Sequence, residues 1–220
     1  MGKAKGILVS KPAGGGTAQL RISVTEGTAG GGSTDGSGTI SGTTGGTPIA
    51  PGTIYTFDGA SSANVGDIVD FEAGDNNQAT DVVVATAGIS ITGNYNDNLV
   101  VAAGQSVVLT AANVDGKISV NGGYLCITNK SDIEGKVESD VAGSFLSIDD
   151  SSIDGKIDVS GASNVSLSGI NVDGKVSLNG NTYSGVSGCT ISGKLEVLNA
   201  STCACKNNTV QGQSNTPGCN

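Results

Sequence analysis

Four of the five cysteines, Cys189, Cys203, Cys205 and Cys219, crowd toward the C-terminus, around a C-x-C and a terminal PGCN. Thiols placed this way offer a metal site or a cross-link. Structural zinc takes four nitrogen or sulfur ligands at suitable spacing; the chain has no histidine, and one C-x-C is a weak ligand set. A disulfide that fastens the tail across the residues before it is the favoured reading, with Cys219 bonded to Cys203 or Cys205. The intervening tail includes QGQSNTPG, long and turn-rich enough to fold back, and closing a loop of about 15 residues contributes about 3 kcal/mol in the chain-entropy model. Reduced structural thiols are the alternative. An odd cysteine count leaves a free or intermolecular sulfur.

Charge is also placed on a beat. Lys117, Lys136, Lys156, Lys175 and Lys194 supply five of the eleven basic residues, and each follows a glycine; Asp115, Glu134, Asp154 and Asp173 precede four of the same glycines. Stacked about 4.8 Å apart in water, neighbouring lysines repel by roughly 0.9 kcal/mol, so the acids read first as a neutralising ladder that keeps one face soluble. The sharper reading is a lateral contact in which the lysine stripe meets the acidic surface of a second copy or a polyanionic glycan. Asp149, Asp150, Asp154 and Asp158, in DDSSIDGKID, are the nearest thing to the paired carboxylates of glycan-cleaving chemistry. The sole arginine is Arg21, outside this region, and aromatics make up 3% of the chain, so these aspartates read as turn residues. The acidic turns GDNNQATD and NYNDN complete no calcium-loop motif. The expectation is no catalytic residue, no metal and no cofactor.

The elements that position these groups follow from the glycines themselves. Gly116, Gly135, Gly155, Gly174, Gly193 and Gly212 are spaced 19, 20, 19, 19 and 19 residues apart, a repeat architecture. Apolar residues sit two before each glycine (Val114, Ile133, Ile153, Val172, Ile191, Val210) and two after most of them (Ile118, Val137, Ile157, Val176, Leu195), which is strand alternation. A second pair recurs further on: Cys126 and Thr128, Leu146 and Ile148, Val165 and Leu167, Ser184 and Val186, Cys203 and Cys205. Leu99, Val101, Val107 and Leu109 extend the frame one coil back, with Asp97 in place of the glycine. β-Branched residues between Gly, Asn, Ser and Asp give strand and turn chemistry without a helical stretch. The pattern predicts a parallel β-solenoid of about 19 residues per coil, in which the glycine beat serves a positive φ or a close backbone approach.

Composition agrees. A chain of 220 residues with 36 glycines, no tryptophan and 36% apolar content suits a narrow aliphatic core. A net charge of -9 argues against a nucleic-acid partner, which needs a basic face. No apolar run approaches membrane-spanning length, and the start MGKAKGILVSKPAGGG does not read as a secretory signal. Cysteine clustering favours an extracellular or particle-surface location. Before the solenoid, strand-like runs at 4–10, 18–24, 53–59, 66–73 and 79–86 flank a Gly- and Thr-rich loop at 26–52. This divides the chain into a small N-terminal β-barrel, 1–86, and a parallel β-helix, 87–220, with a Cys-rich C-terminal cap.

The opening KAKGILVS and the later VGDIVDFEAGDNNQATDVVV resemble the first strand and last hairpin of cold-shock and related OB-fold barrels, which implies an OB-like barrel at the front. The Gly-Lys-apolar beats resemble the right-handed parallel β-helices of bacteria, among them the bactofilins, which polymerise end to end without nucleotide; NTVQG at 208–212 is similar to the beat of secreted repeat proteins. These readings converge on a non-catalytic structural protein that self-assembles into a filament, sheath or particle surface. The alternatives are a glycan-binding or glycan-degrading β-helix and an intracellular bactofilin-like scaffold.

Overall fold

The computed structural model describes residues 2–11, 19–29, 47–49, 52–58, 61–217 and 219, with the backbone alone at 19–29, 47, 48 and 58. They fall into two compact units, Met1–Ile89 and Ser90–Asn220. Among the described residues the regular structure is strand throughout, apart from one 3-10 turn at Asp75–Asn77.

In the first unit β1 (Gly2–Ser10) pairs antiparallel with β2 (Gln19–Ala29) on one side and β5 (Ile68–Ala73) on the other. β3 (Thr47–Pro48) and β4 (Ile54–Asp58) pair antiparallel with β2, and β6 (Ala79–Thr86) with β5. The OB-like barrel expected over 1–86 is not shown; what the strands form is a small antiparallel sheet. Part of the expected 26–52 loop is strand, because β2 runs to Ala29 and β3 returns against it; residues 30–46, 50 and 51 lie outside the described residues. Even-spaced positions of β1 and β5 put Ala4, Leu8, Val69, Phe71 and Ala73 into one cluster with Tyr55, as a two-residue side-chain period requires. The Gly-Asp that opens the last hairpin has a local job: buried Asp67 accepts the backbone N–H of Asn64 (2.8 Å) and of Gly88 (2.9 Å).

The second unit is a parallel β-solenoid of about seven coils. Its coils have three faces. The first face stacks Leu99–Ala102, Ile118–Asn121, Val137–Ser139, Ile157–Ser160, Val176–Asn179, Leu195–Leu198 and Ser214–Asn215. The second stacks the start of Ser106–Val114, then Tyr124–Thr128, Phe145–Asp149, Asn164–Ser168, Tyr183–Ser187 and Thr202–Lys206. The third stacks the end of Ser106–Val114, then Asp132–Ile133, Ser152–Ile153, Asn171–Val172, Thr190–Ile191 and Thr209–Val210. Like residues lie over like residues, as Ile133, Ile153, Val172, Ile191 and Val210 do on the third face. The inward columns merge into one continuous aliphatic core.

The glycine beat answers to distance and not to φ. A Cβ built on Gly116 would lie 2.2 Å from the carbonyl oxygen of Asp97, and on Gly135, Gly155, Gly174, Gly193 and Gly212 it would lie 2.3 to 2.6 Å from the oxygen of the beat residue one coil earlier. None of the six has a positive φ. Backbone therefore packs on backbone at this bend, and Gly174 N, Gly193 N and Gly212 N each donate to the beat carbonyl of the preceding coil at 3.1 to 3.2 Å. Asp97 supplies the carbonyl against which the first of these glycines, Gly116, packs. A different column turns the chain from the second face to the third: Ala111, Lys130, Asp150, Gly169, Gly188 and Asn207 all have φ between 44° and 63°. Here glycine is optional because the corner has open space, as at Gly169 where nothing lies within 4 Å of a built Cβ, so residues that tolerate the left-handed region also serve.

The uniform frame misplaces one pair. Leu125 and Ile127 face the core, stacked on Val107 and Leu109 below and on Leu146 and Ile148 above; Cys126 and Thr128 are on the other side of the strand. The step from Val107 to Leu125 falls short of the regular beat and the step from Leu125 to Leu146 exceeds it, the differences being absorbed in the turns between the first and second faces. Counted from Gly116, the strand is off by one, and a one-residue slip exchanges the faces of a strand.

Candidate functional site

The lysine column stands on the first face, immediately after the glycine bend. Since side chains two apart on a strand share a face, the carboxylates that reach these lysines are two residues further along, not across the glycine. Lys117 Nζ lies 2.9 Å from Glu138 Oε1, and Lys136 pairs with the other oxygen of the same carboxylate. Lys156 reaches Asp158 at 3.0 Å and Lys194 reaches Glu196 at 2.7 Å. The neutralising partners are therefore Glu138, Asp158 and Glu196, in one column with Ser119 and Ser177. This corrects the pairing expected from the sequence. Among the described residues Asp115, Glu134, Asp154 and Asp173 make no ion pair with the column; all four are exposed, on the other side of the bend.

Glu138 is the most strongly held carboxylate of the ladder. Hydrogen bonds from Lys136 and Lys117, helped by one from Ser119 Oγ at 3.1 Å, outweigh partial desolvation and bring its pKa from 4.5 down to about 2. Lys194 lowers Glu196 through a hydrogen bond, with a smaller contribution from Lys175 across the rung. A depressed carboxylate contributes stability that is complete above its unfolded pKa and is lost as pH falls through the folded one. With 28% of the Glu138 side chain exposed, solvent screening leaves about 1 kcal/mol of that linkage. Glu138→Gln is expected to lower stability by about 1 kcal/mol at neutral pH, with the gap to the parent narrowing below pH 4.5 and closing near pH 2. Urea unfolding across that window checks it; a gap independent of pH contradicts it.

The other acids singled out in the sequence do not converge. Asp149 is on the outer side of the second face and accepts from Thr128 Oγ1 at 3.0 Å; Asp150 holds the left-handed corner; Asp154 precedes the glycine bend; and Asp158 is paired with Lys156. Among the described residues no group of three or more His, Cys, Asp or Glu is placed to hold a metal ion.

The cysteines divide by position. Cys126 is buried on the outer side of the second face, between Val108 and Ser147 of the adjoining coils, and burial, then the charge of Asp149, pushes its thiol upward. Cys189 is buried in the core, its thiol donating to Ser187 O at 3.3 Å. Cys203 and Cys205 point inward on the last coil of the second face, stacked on Ser184 and Val186. Cys219 is packed against the end of the same core, on a tail turned back by a hydrogen bond from its own N–H to Thr216 O (3.3 Å). Cys219 is near enough to Cys203 and Cys205 for each to shift the titration of the others. All five cysteines are free thiols, and no pair is at bonding distance. Burial raises Cys203 and Cys219 to about 11.

No family model, curated protein or solved structure matches the chain. The likenesses to bacterial β-helix repeat proteins and to OB-fold barrels thus rest on residue pattern, and the solenoid stands on its own geometry.

Two features escaped the residue pattern. The acidic partners of the lysines, Glu138, Asp158 and Glu196, occupy only some rungs of their column, with serines in the others, so the column carries a weaker periodic signal than the acid-Gly-Lys triplet. The left-handed corner is signalled by Gly169, Gly188 and Asn207 at intervals of 19, a beat that runs parallel to the Gly-Lys column.

Proposed function

We propose that this chain is a non-catalytic structural protein whose solenoid associates side by side with further copies to build a filament, sheath or surface layer. The observation that carries this reading is the pair of charge columns on one rod. Five lysines run along one side of the glycine bend, partly neutralised by three carboxylates. Four acids, Asp115, Glu134, Asp154 and Asp173, run along the other side without a partner in the ladder. Both columns rise by the same strand spacing, about 4.8 Å, so the acids of one copy match the lysines of another rung by rung, and complementary fields of this kind fix register and partner. End-to-end continuation of the coil is disfavoured at the N-terminal end of the column, because Asp97 carries a Cβ where each later coil needs a glycine against the carbonyl below it.

The N-terminal unit is read as an OB-like barrel that closes the strand order β4-β2-β1-β5-β6. A parallel bridge between Thr56 of β4 and Gln78 at the start of β6 supports that closure.

Sedimentation velocity and negative-stain imaging over rising protein concentration test the assembly. Ordered side-by-side association at low ionic strength is expected, receding toward 1 M salt where the screening length shrinks to about 3 Å. Neutralising the free acids together, as Asp115→Asn, Glu134→Gln, Asp154→Asn and Asp173→Asn, abolishes association and leaves the fold intact by circular dichroism. A monomer under every condition, or assembly indifferent to both salt and the four substitutions, overturns the reading.

A further inference from the structure

We propose that Cys219 is the central sulfur of a two-partner redox site, which a low-molecular-weight disulfide such as oxidised glutathione converts into an internal disulfide to Cys203 or Cys205, locking the C-terminal tail onto the last coil. Three observations carry it, and none depends on the assembly proposed above. Cys203 and Cys205 are two apart on one strand with both side chains turned to the core, which leaves their Cβ atoms about 6.6 Å apart on parallel vectors, wider than the 3.5–4.5 Å a disulfide spans. They do not suit each other. Cys219 comes from a separate segment, the tail that follows the last rung of the first face, and packs against the same core as Cys203 and Cys205, near enough to perturb both thiols; a tail has the freedom to complete the remaining approach that two positions fixed in one ladder lack. All three are partly exposed at the end of the solenoid, where a small disulfide has access, whereas Cys126 and Cys189 are buried.

The step balances without a metal. One cysteine thiolate attacks a sulfur of glutathione disulfide and expels glutathione thiolate, forming a mixed disulfide; the second cysteine thiolate displaces the second glutathione. Two protein thiols lose two protons and two electrons, and one glutathione disulfide becomes two glutathione thiols. Burial raises the thiols at this end, which keeps the thiolate fraction low and makes exchange slow at neutral pH and faster as pH rises.

The site has a structural consequence. The tail strand Ser214–Asn215 closes the first face at its last rung, and Thr202–Lys206 is the last strand of the second. Oxidation pins the segment after the former against the latter and fixes the cover over the end of the core; reduction frees it.

The test uses the full chain, reduced, freed of reductant and incubated with oxidised glutathione at about pH 9 to speed exchange, then alkylated and digested with trypsin. Cleavage after Lys194 and Lys206 separates Cys203 and Cys205 in peptide 195–206 from Cys219 in peptide 207–220. The expected product is these two peptides joined, with fragmentation at Ala204 distinguishing the partners, and a fall from five alkylatable thiols to three. Cys203→Ser and Cys205→Ser each retain the bridge through the remaining partner; Cys219→Ser forms no internal disulfide and ends in mixed disulfides with glutathione. The proposal is overturned by wild-type protein that yields only mixed disulfides or untouched thiols, by intermolecular bridges alone, or by Cys219→Ser forming an internal disulfide as readily as the parent.

Discussion

Gly155→Ala is expected to destabilise the solenoid by about 3 kcal/mol, far beyond the cost of a methyl group at an ordinary glycine. The added Cβ would lie 2.5 Å from Gly135 O and 2.6 Å from Gly135 C, well inside normal contact. Neither atom is the end of a flexible side chain. Relief requires lifting the Gly155 coil from the Gly135 coil, and these two are tied on both sides of the bend, by Asp154 N to Ile133 O (2.9 Å) and by Val137 N to Lys156 O (3.0 Å). Gly161→Ala is the control: Gly161 has a φ of 67° and nothing within 4 Å of a built Cβ, so only left-handed strain is added, about 1 kcal/mol. Chemical denaturation of the two variants separates close approach from conformational freedom. Equal losses would contradict the account of the beat.

Ile153→Asp is expected to cost about 4 kcal/mol or more, enough to unfold the coils around it. Ile153 is 1% exposed and stacks between Ile133 and Val172, so the substitution strips aliphatic contact from three consecutive rungs and leaves a carboxylate without a partner. In a solenoid each coil rests on its neighbours alone, and damage at one rung breaks the column. Asn171→Asp, exposed on the same face one coil later, is expected to stay within about 0.5 kcal/mol of the parent. Thermal unfolding of the pair decides it; comparable losses at the two positions would mean that the third face is not the inward column described.

Much of the solenoid is legible in the sequence because two periods coincide. The regular spacing of Gly116 to Gly212 marks the coil, and the alternation of Val114 and Ile118 around Gly116 marks the inward side; each is enforced at every coil by contact with the next. Where enforcement slackens, legibility goes with it. Turns between the first and second faces absorb insertions, so the frame carried forward from Gly116 lands on Cys126 when the core residue is Leu125. The charge columns show the same limit. Asp115 and Lys117 are close in sequence but separated by a bend, whereas Lys117 and Glu138 come from successive coils and meet on one face. Sequence proximity suggested the wrong carboxylates; strand geometry selected the right ones. The thiol group was readable from its clustering, since a tail cysteine near the last coil has few other places to go, but which sulfur is central depends on the path of residues 214–219. The first unit has no repeat to average over, and its antiparallel pairings are set by contacts between distant segments that no local pattern records.

The coil itself is tested most directly by pulsed electron-spin distances, with nitroxides introduced through a non-cysteine handle at Thr110 and, in separate samples, at Ser168, Ser187 or Lys206. These positions share one column of the second face, Thr110 over Thr128, Thr128 bonded to Asp149, then Ser168, Ser187 and Lys206. Separations of three, four and five coils predict distances of about 14, 19 and 24 Å, rising in equal steps of the strand spacing. Distances that fail to rise in equal steps, or broad distributions spanning the range, would contradict a stacked parallel solenoid.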